Sequence, residues 1–261
     1  MIAKIKSTLI CFILFSYSYG CLNAQIIKES VFSTHLKQER EISIYLPDSY
    51  ADNPLKKYPL IFTLDGSFLN LPTISVLQWM SMIRSAPEAI VISIEHNGQR
   101  IIDTGVDVTT ARLKPGGFSF KKFLDEELFP RITKDYRISS KRLFIGFSST
   151  AHFPSVYAID KELFFSGYIM ISPNYPEKLQ KKLIKAIKNS SKEQFIYLST
   201  SENDIPEHKK SVLKLDSQLS EINTPNFSYH LDNFLGAKHT DLLFRSLLTA
   251  IPIAFRKTTI K

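Results

Sequence analysis

Ser148 lies where a short apolar strand, predicted over residues 142–147, runs into a cluster of small residues. A serine hydroxyl is a weak nucleophile unless a sharp turn exposes it to a base and to backbone N–H groups that can hold an oxyanion. Gly146 suits such a turn, although Thr150 replaces the last glycine of the G-x-S-x-G pattern. We therefore predict that Ser148 is a nucleophile, the alternative being a serine-rich turn after a buried strand.

An acidic residue and a histidine follow Ser148 in the chain order that serine nucleophiles of this kind require. The strand predicted at 195–198 runs into Glu202 and Asp204, and either carboxylate could hold an imidazole in its working tautomer. His239 comes last, in a glycine-containing loop before an amphipathic helix, and is the predicted general base. The alternative for the two acids is an acidic loop with a helix cap at Asp204.

An oxyanion site is expected where the strand predicted at 58–64 ends. Gly66 permits a close backbone approach there. The N–H of Ser67 or Phe68 could then pair with that of Ser149 to bind an oxyanion. The alternative is a plain turn.

The stretch 95–119 is long, irregular and rich in Gly, Thr and Arg. It follows the strand predicted at 89–94, at the edge where open α/β sheets bind their ligands. Arg100 could clamp an acidic substrate or order this loop, but a structural pairing with Asp103 is favoured. No cluster has the spacing of metal ligands, and the predicted chemistry uses no metal and no cofactor.

Apolar runs alternate with helical stretches along the chain, which predicts a single α/β domain with a mostly parallel sheet and helices on both faces. Residues 41–46 alternate polar and apolar positions, as an outer strand does. The continuous apolar runs are 58–64, 89–94, 143–145, 168–171 and 195–198, and the helical stretches are 120–132, 176–188, 205–219 and 240–255.

Residues 1–24 have the pattern of a secretory signal peptide, with Lys4 and Lys6 before an apolar segment too short to span a bilayer. Cleavage after Ala24 would leave residues 25–261 as one exported domain, periplasmic or secreted. Lipoprotein processing at Cys21 is the second possibility and the only predicted route to a membrane. Both cysteines, Cys11 and Cys21, lie in this segment, so the mature chain would have no disulfide.

The net charge of +8 does not predict a nucleic-acid partner, because the basic residues are spread along the chain. The exception is a lysine group at 181, 182, 185 and 188, whose spacing is typical of a solvated helix face. The sequence leaves the oligomeric state open.

These motifs together resemble the putative esterase group of α/β-hydrolases, over residues 33–255. The resemblance is carried by Ile44–Pro47, Tyr58-Pro59, Leu64–Gly66, Arg100 with Asp103, Gly116-Gly117, the stretch 123–130 and Tyr136-Arg137. The group includes enterochelin esterases, esterase D-like enzymes and carbohydrate feruloyl or acetyl esterases. It implies a small ester substrate, with Ser148 as nucleophile, His239 as base and Glu202, rather than Asp204, as the favoured acid.

Two departures from the group's pattern suggest a rival interpretation. Thr150 is expected to crowd the turn after Ser148, and Pro154 falls early in the following helix, where a proline removes a backbone hydrogen bond. The rival is a catalytically silent binding protein that kept the fold. Because the serine, an acid and the histidine occur in the right order, the sequence favours an exported serine esterase.

Overall fold

One sheet of eight strands organises the part of the chain that the structure describes. The computed structural model describes residues 25–160 and 164–256, so the predicted signal segment, with Cys21, lies outside the described residues. The strands are β1 (Gln25–Ser33), β2 (Gln38–Leu46), β3 (Tyr58–Thr63), β4 (Ile90–Ile94), β5 (Ile138–Phe147), β6 (Gly167–Ile171), β7 (Gln194–Asn203) and β8 (Phe227–Lys238). Their order across the sheet is β1-β2-β4-β3-β5-β6-β7-β8.

The sheet is mostly parallel, which confirms the predicted fold class. Only β1 with β2 and β2 with β4 pair antiparallel, and every later pair is parallel. Strands β4 and β6 are buried at every position, because helices cover both faces of the sheet. This two-sided cover explains why their sequences are continuous apolar runs.

The helices divide between the two faces of the sheet. They are α1 (Gly66–Met82), α2 (Arg100–Asp103), α3 (Pro115–Lys122), α4 (Phe129–Asp135), α5 (Pro154–Ile159), α6 (Glu177–Lys188), α7 (Pro206–Leu219) and α8 (Leu242–Phe255), with a π-helical turn at Phe123–Leu128 joining α3 to α4. Helices α1 and α8 pack on each other and share one apolar core, while α3 to α7 contribute to the core on the opposite face.

Two elements that position the site are missing from the predicted set. Helix α1 contains no charged residue and carries Pro72, so its sequence lacks the amphipathic pattern of a surface helix. Strand β8 is only partly buried and contains Gly236, so it lacks a continuous apolar run. Helix α1 begins and strand β8 ends at the carboxyl edge of the parallel strands. Gly66, the first residue of α1, and His239, which follows β8, therefore lie at the same edge as the end of β5.

Candidate active site

Ser148 occupies a strained turn directly after β5. Its φ of 58° is left-handed, a conformation that costs a non-glycine residue about 1–3 kcal/mol. The chain then folds back sharply, so that a Cβ placed on Gly146 would lie 2.9 Å from the Cα of Ala151. Glycine is therefore required at 146, and the turn presents the Ser148 hydroxyl at the carboxyl edge of the sheet.

A continuous hydrogen-bond chain joins Ser148 to a histidine and a carboxylate. His239 Nε2 lies 2.9 Å from Ser148 Oγ, and His239 Nδ1 lies 2.7 Å from Asp204 Oδ1. The His239 ring also stacks on the Phe147 ring, with centroids 5.1 Å apart. With Nδ1–H donated to the carboxylate, Nε2 is left to accept the serine proton. The predicted serine, one of the two predicted acids and the predicted histidine thus come together.

The Asp204 carboxylate is buried and held by several donors besides His239. It accepts hydrogen bonds from Ser172 Oγ at 2.8 Å, from Thr200 Oγ1 at 2.8 Å and from the Ile205 N–H at 2.8 Å. Burial by itself would raise the pKa of Asp204, but the hydrogen bonds from His239, Thr200, Ser172 and Ile205 outweigh it and hold the pKa below its ordinary value. The carboxylate is therefore ionised and fixed beneath the imidazole.

This lowered pKa makes the stability of the fold dependent on pH. A depressed folded-state pKa stabilises the fold above the unfolded value of about 3.9, and that contribution is lost as the pH falls through the folded value. We expect the difference in unfolding free energy between the wild-type protein and Asp204→Asn to shrink as the pH is lowered below about 4. Urea unfolding of both proteins across this range measures the difference, and a constant difference would contradict the assignment.

The preference for Glu202 as the acid is not supported by its position. Strand β7 continues to Asn203, so Glu202 is still in the strand and its side chain is exposed. Its carboxylate accepts a hydrogen bond from the Gly236 N–H at 3.1 Å, on the neighbouring strand β8. Asp204, two residues later, lies past the strand end and reaches His239 instead.

Ser172 and His208 adjoin the acid and were missed at the level of the sequence. Ser172 follows β6 with a left-handed φ of 49°, and its Oγ lies 3.1 Å from His239 Nδ1 and 3.3 Å from His208 Nδ1. His208 Nδ1 also lies 2.7 Å from the Ser172 carbonyl oxygen, to which it can donate. The one available signal was the position of Ser172 at the carboxyl end of a buried strand.

Asp65 ties the turn that follows β3 to the turn that follows β5. Its carboxylate accepts Arg100 Nε at 2.6 Å and Nη2 at 2.9 Å, while the same Nη2 donates to the Phe147 carbonyl oxygen at 2.8 Å. Thr150 Oγ1 is the third donor to Asp65, at 2.6 Å. The backbone on either side of Ser148 is therefore anchored to the start of α1.

The predicted pairing of Arg100 with Asp103 is wrong. Arg100 donates a hydrogen bond to Asp65 instead. Asp103 is buried and accepts a hydrogen bond from Arg40 Nη2 at 2.8 Å, and its carboxylate also lies 2.8 Å from His96 Nδ1. Both acids thus have an arginine partner, and the stretch that was predicted to be irregular is organised around them. Arg100 contributes to the loop order that the sequence also allowed.

The expectations for Thr150 and Pro154 also need correction. Thr150 is fully buried, but its side chain is accommodated because the hydroxyl finds the Asp65 carboxylate. Pro154 opens α5 at the first helical turn, where a backbone N–H has no intrahelical partner in any case. Neither residue therefore disrupts the turn that carries Ser148.

Removing the Thr150 hydroxyl should weaken this turn. Thr150→Val keeps the shape of the side chain but leaves the buried Asp65 carboxylate without one donor, and we expect it to lower the free energy of unfolding by about 1–3 kcal/mol. Urea denaturation measures the loss. Thr150→Ser retains the hydroxyl and should recover most of the stability, while equal losses in both variants would contradict the hydrogen-bond explanation.

The start of α1 is the segment where the sequence predicted one side of an oxyanion site. Asp65 adopts a left-handed φ of 54°, and its carbonyl oxygen accepts the N–H groups of Phe68 and Leu69, both at 2.8 Å. Phe68, one of the two predicted donors, is therefore engaged. The N–H groups of Gly66 and Ser67 precede these first helical hydrogen bonds and lie at the positive end of the helix dipole. Ser149 directly follows Ser148 in the adjoining turn.

Other histidines have structural partners. His152 Nε2 lies 2.8 Å from the Thr104 carbonyl oxygen, and burial lowers its pKa.

The described residues contain no group of three or more His, Cys, Asp or Glu side chains arranged to hold a metal ion. Within residues 25–160 and 164–256, no helix combines the length and apolar character needed to cross a bilayer.

The fold and this site have the form of an α/β-hydrolase, and comparison with known proteins agrees. The family model described as "Putative esterase" matches residues 33–253, so the chain belongs to that family. Membership supports an ester hydrolase as the class of activity.

Individual relatives are more distant. YjcH of Bacillus subtilis (strain 168), described as uncharacterized, is 28% identical over 193 residues, which cover 70% of this chain and 76% of that protein. The solved structure of an uncharacterised protein from Capnocytophaga ochracea has a TM-score of 0.79 at 22% identity and covers 88% of this chain, which spans 64% of that chain's length. The solved structure of an IroE-like serine hydrolase from Shewanella oneidensis has a TM-score of 0.77 at 19% identity. The match covers 88% of this chain and 80% of the hydrolase chain.

Proposed function

We propose that this protein is a serine esterase that hydrolyses a small carboxylic ester through an acyl-serine intermediate. The observation that carries the proposal is the hydrogen-bond chain from Ser148 Oγ through His239 to Asp204, at 2.9 and 2.7 Å. Membership of the esterase family supports it, as does the similar fold of a protein described as a serine hydrolase.

Acylation begins when Ser148 Oγ attacks the ester carbonyl carbon and passes its proton to His239 Nε2. The carbonyl electrons move onto oxygen, and that oxyanion is held by the N–H groups of Ser149, Gly66 and Ser67. Asp204 stabilises the imidazolium that forms. When the intermediate collapses, the carbon–oxygen bond to the alcohol breaks, and the alcohol leaves with the proton from His239.

Deacylation repeats these steps with water. His239 Nε2 removes a proton from water as it attacks the acyl carbon, and the second intermediate collapses to release the carboxylic acid. Ser148 regains its proton from His239. The cycle uses only water and the side chains and backbone of the chain itself.

A catalytically silent fold is the competing hypothesis. This hypothesis arose from the presence of Thr150 and Pro154 in the sequence. In the structure, the Thr150 hydroxyl donates a hydrogen bond to Asp65, and Pro154 begins helix α5. Neither feature therefore favours loss of activity. The geometry around Ser148 is that of a preorganised site, with the base and acid already within hydrogen-bond distance.

Labelling with a fluorophosphonate probe tests the proposal without knowledge of the natural ester. The probe phosphonylates an activated serine, and we expect one label on the purified protein, mapped to Ser148 by peptide mass spectrometry. Ser217, an exposed serine on α7, is the internal comparison and should remain unmodified. Labelling that misses Ser148, or that persists in His239→Ala, would contradict the proposal.

We further propose that the enzyme is exported and begins at Gln25 after processing. The mass of the chain recovered from the producing cell tests this proposal. A mass that corresponds to lipid-modified Cys21 would instead support the lipoprotein alternative and a membrane-attached enzyme.

A further inference from the structure

Helix α1 exposes an apolar stripe on the side that faces away from the sheet. Phe68, Leu71, Trp79 and Met82 are 58%, 62%, 52% and 67% exposed, and Ser75 is the small exposed residue between them. These positions follow one another at intervals of three and four residues, so they lie on one face of the helix. The core of the protein does not account for this stripe.

The neighbouring helix α8 extends the apolar surface. Phe244 and Leu248 are exposed one turn apart on α8, which packs beside α1 on the same face of the sheet. Helix α1 has no charged residue in its 17 positions, and α8 has only Arg245. Helices α6 and α7, by contrast, carry many lysine and acidic residues, as solvated helices do. The α1–α8 surface is therefore unlike the exteriors of α6 and α7.

The area of this surface is close to that of one side of a stable dimer. Its apolar side chains, including Ile83 directly after α1, are about half exposed, which corresponds to on the order of 600–700 Å². The largest apolar patch on a typical monomer is about 300–600 Å², whereas one partner of a stable complex buries about 800 Å².

The order of residues along the stripe is symmetric about Ser75. Leu71 and Trp79 lie four residues before and after it, and Phe68 and Met82 lie seven residues before and after it. A two-fold axis at Ser75 would thus bring two antiparallel α1 helices into register. Phe68 would then contact Met82 of the partner subunit, and Leu71 would contact Trp79 of the partner subunit. The small serine at the axis allows the helices to approach closely.

We propose that this surface is the self-association interface of a homodimer with a two-fold axis at Ser75. A membrane is the less favoured occupant, because helices that lie on bilayers carry Lys and Arg beside their apolar face. Helix α1 has neither residue, and Arg245 is the single cation of α8.

Sedimentation velocity over a range of protein concentrations tests the proposal. The wild-type protein should sediment with twice the chain mass. Ser75→Lys places two like charges against each other at the axis and should raise the dimer dissociation constant by about 100-fold or more. Ser217→Lys, an equivalent change of an exposed serine on α7, should leave it unchanged. Circular dichroism verifies that both variants are folded.

A wild-type protein that stays monomeric up to about 100 μM would overturn the proposal. A dimer that is indifferent to Ser75→Lys would also overturn it. Flotation of monomeric protein with phosphatidylglycerol vesicles, abolished by Leu71→Glu, would reassign the surface to a membrane.

Disulfide trapping gives a second, independent measurement. In a chain whose Cys11 and Cys21 are replaced by serine, Ser75→Cys places one thiol from each subunit at the axis, within reach of a disulfide. We expect oxidation to give a covalent dimer with Ser75→Cys and none with Ser217→Cys. Equal cross-linking of both variants would indicate random collision and contradict the interface.

Discussion

Replacing Ser148 by alanine should reduce the turnover of short p-nitrophenyl esters by about 10⁴-fold or more, because the variant has no group to carry the acyl intermediate. His239→Ala should cost a similar factor, since the serine then lacks its base. Hydrolysis of an ester series by the purified protein measures both effects. The double variant should be no worse than either single one, because the two residues act in one step.

The expected structural effects of these variants differ from the kinetic ones. Ser148 has a left-handed φ, so Ser148→Gly should abolish turnover while leaving the fold as stable as the wild type or more so. This variant separates loss of chemistry from loss of structure. Turnover that survives in Ser148→Ala, Ser148→Gly and His239→Ala would be inconsistent with the proposed site and would indicate another nucleophile.

Asp204→Asn should reduce turnover by about 10⁴-fold, whereas Glu202→Gln should leave it within a factor of about three. The introduced amide would donate where the carboxylate of Asp204 accepts, so His239 would be held in the wrong tautomer and its positive form would lose its counter-charge. Glu202 is exposed and its carboxylate contacts Gly236, so its charge has no direct role at the imidazole. The ester assay compares the two variants.

The comparison of Asp204→Asn with Glu202→Gln is informative because the sequence favoured Glu202 as the acid. If Glu202→Gln were the damaging substitution and Asp204→Asn the mild one, the observed hydrogen bonds would not represent the working enzyme. Ser172→Ala, which removes one donor to the Asp204 carboxylate, should have an intermediate effect.

Much of the fold follows from local pattern. Strands such as β4 and β6 are continuous apolar runs because both their faces are covered, and α6 alternates lysines with leucine and isoleucine. The order of Ser148, the acids and His239 could also be predicted from local pattern, because each of these residues follows a predicted strand or precedes a predicted helix.

The details that depend on tertiary contacts could not be predicted from the sequence. Whether Glu202 or Asp204 meets His239 depends on how far β7 continues, and a difference of two residues decides it. Arg100 was matched with Asp103 because they are near in sequence, whereas its partner Asp65 is 35 positions away. Helix α1 was missed because its exposed face is apolar, so the usual contrast between a polar and an apolar side is absent.

The bond between Thr150 and Asp65 has a consequence for how related sequences are recognised. The two positions are 85 residues apart and form one buried unit, so we expect them to vary together among relatives. A search pattern that insists on glycine two positions after the serine would discard this chain. A pattern that accepts a hydroxyl residue there, provided that an aspartate lies in the turn after the strand corresponding to β3, would retain it.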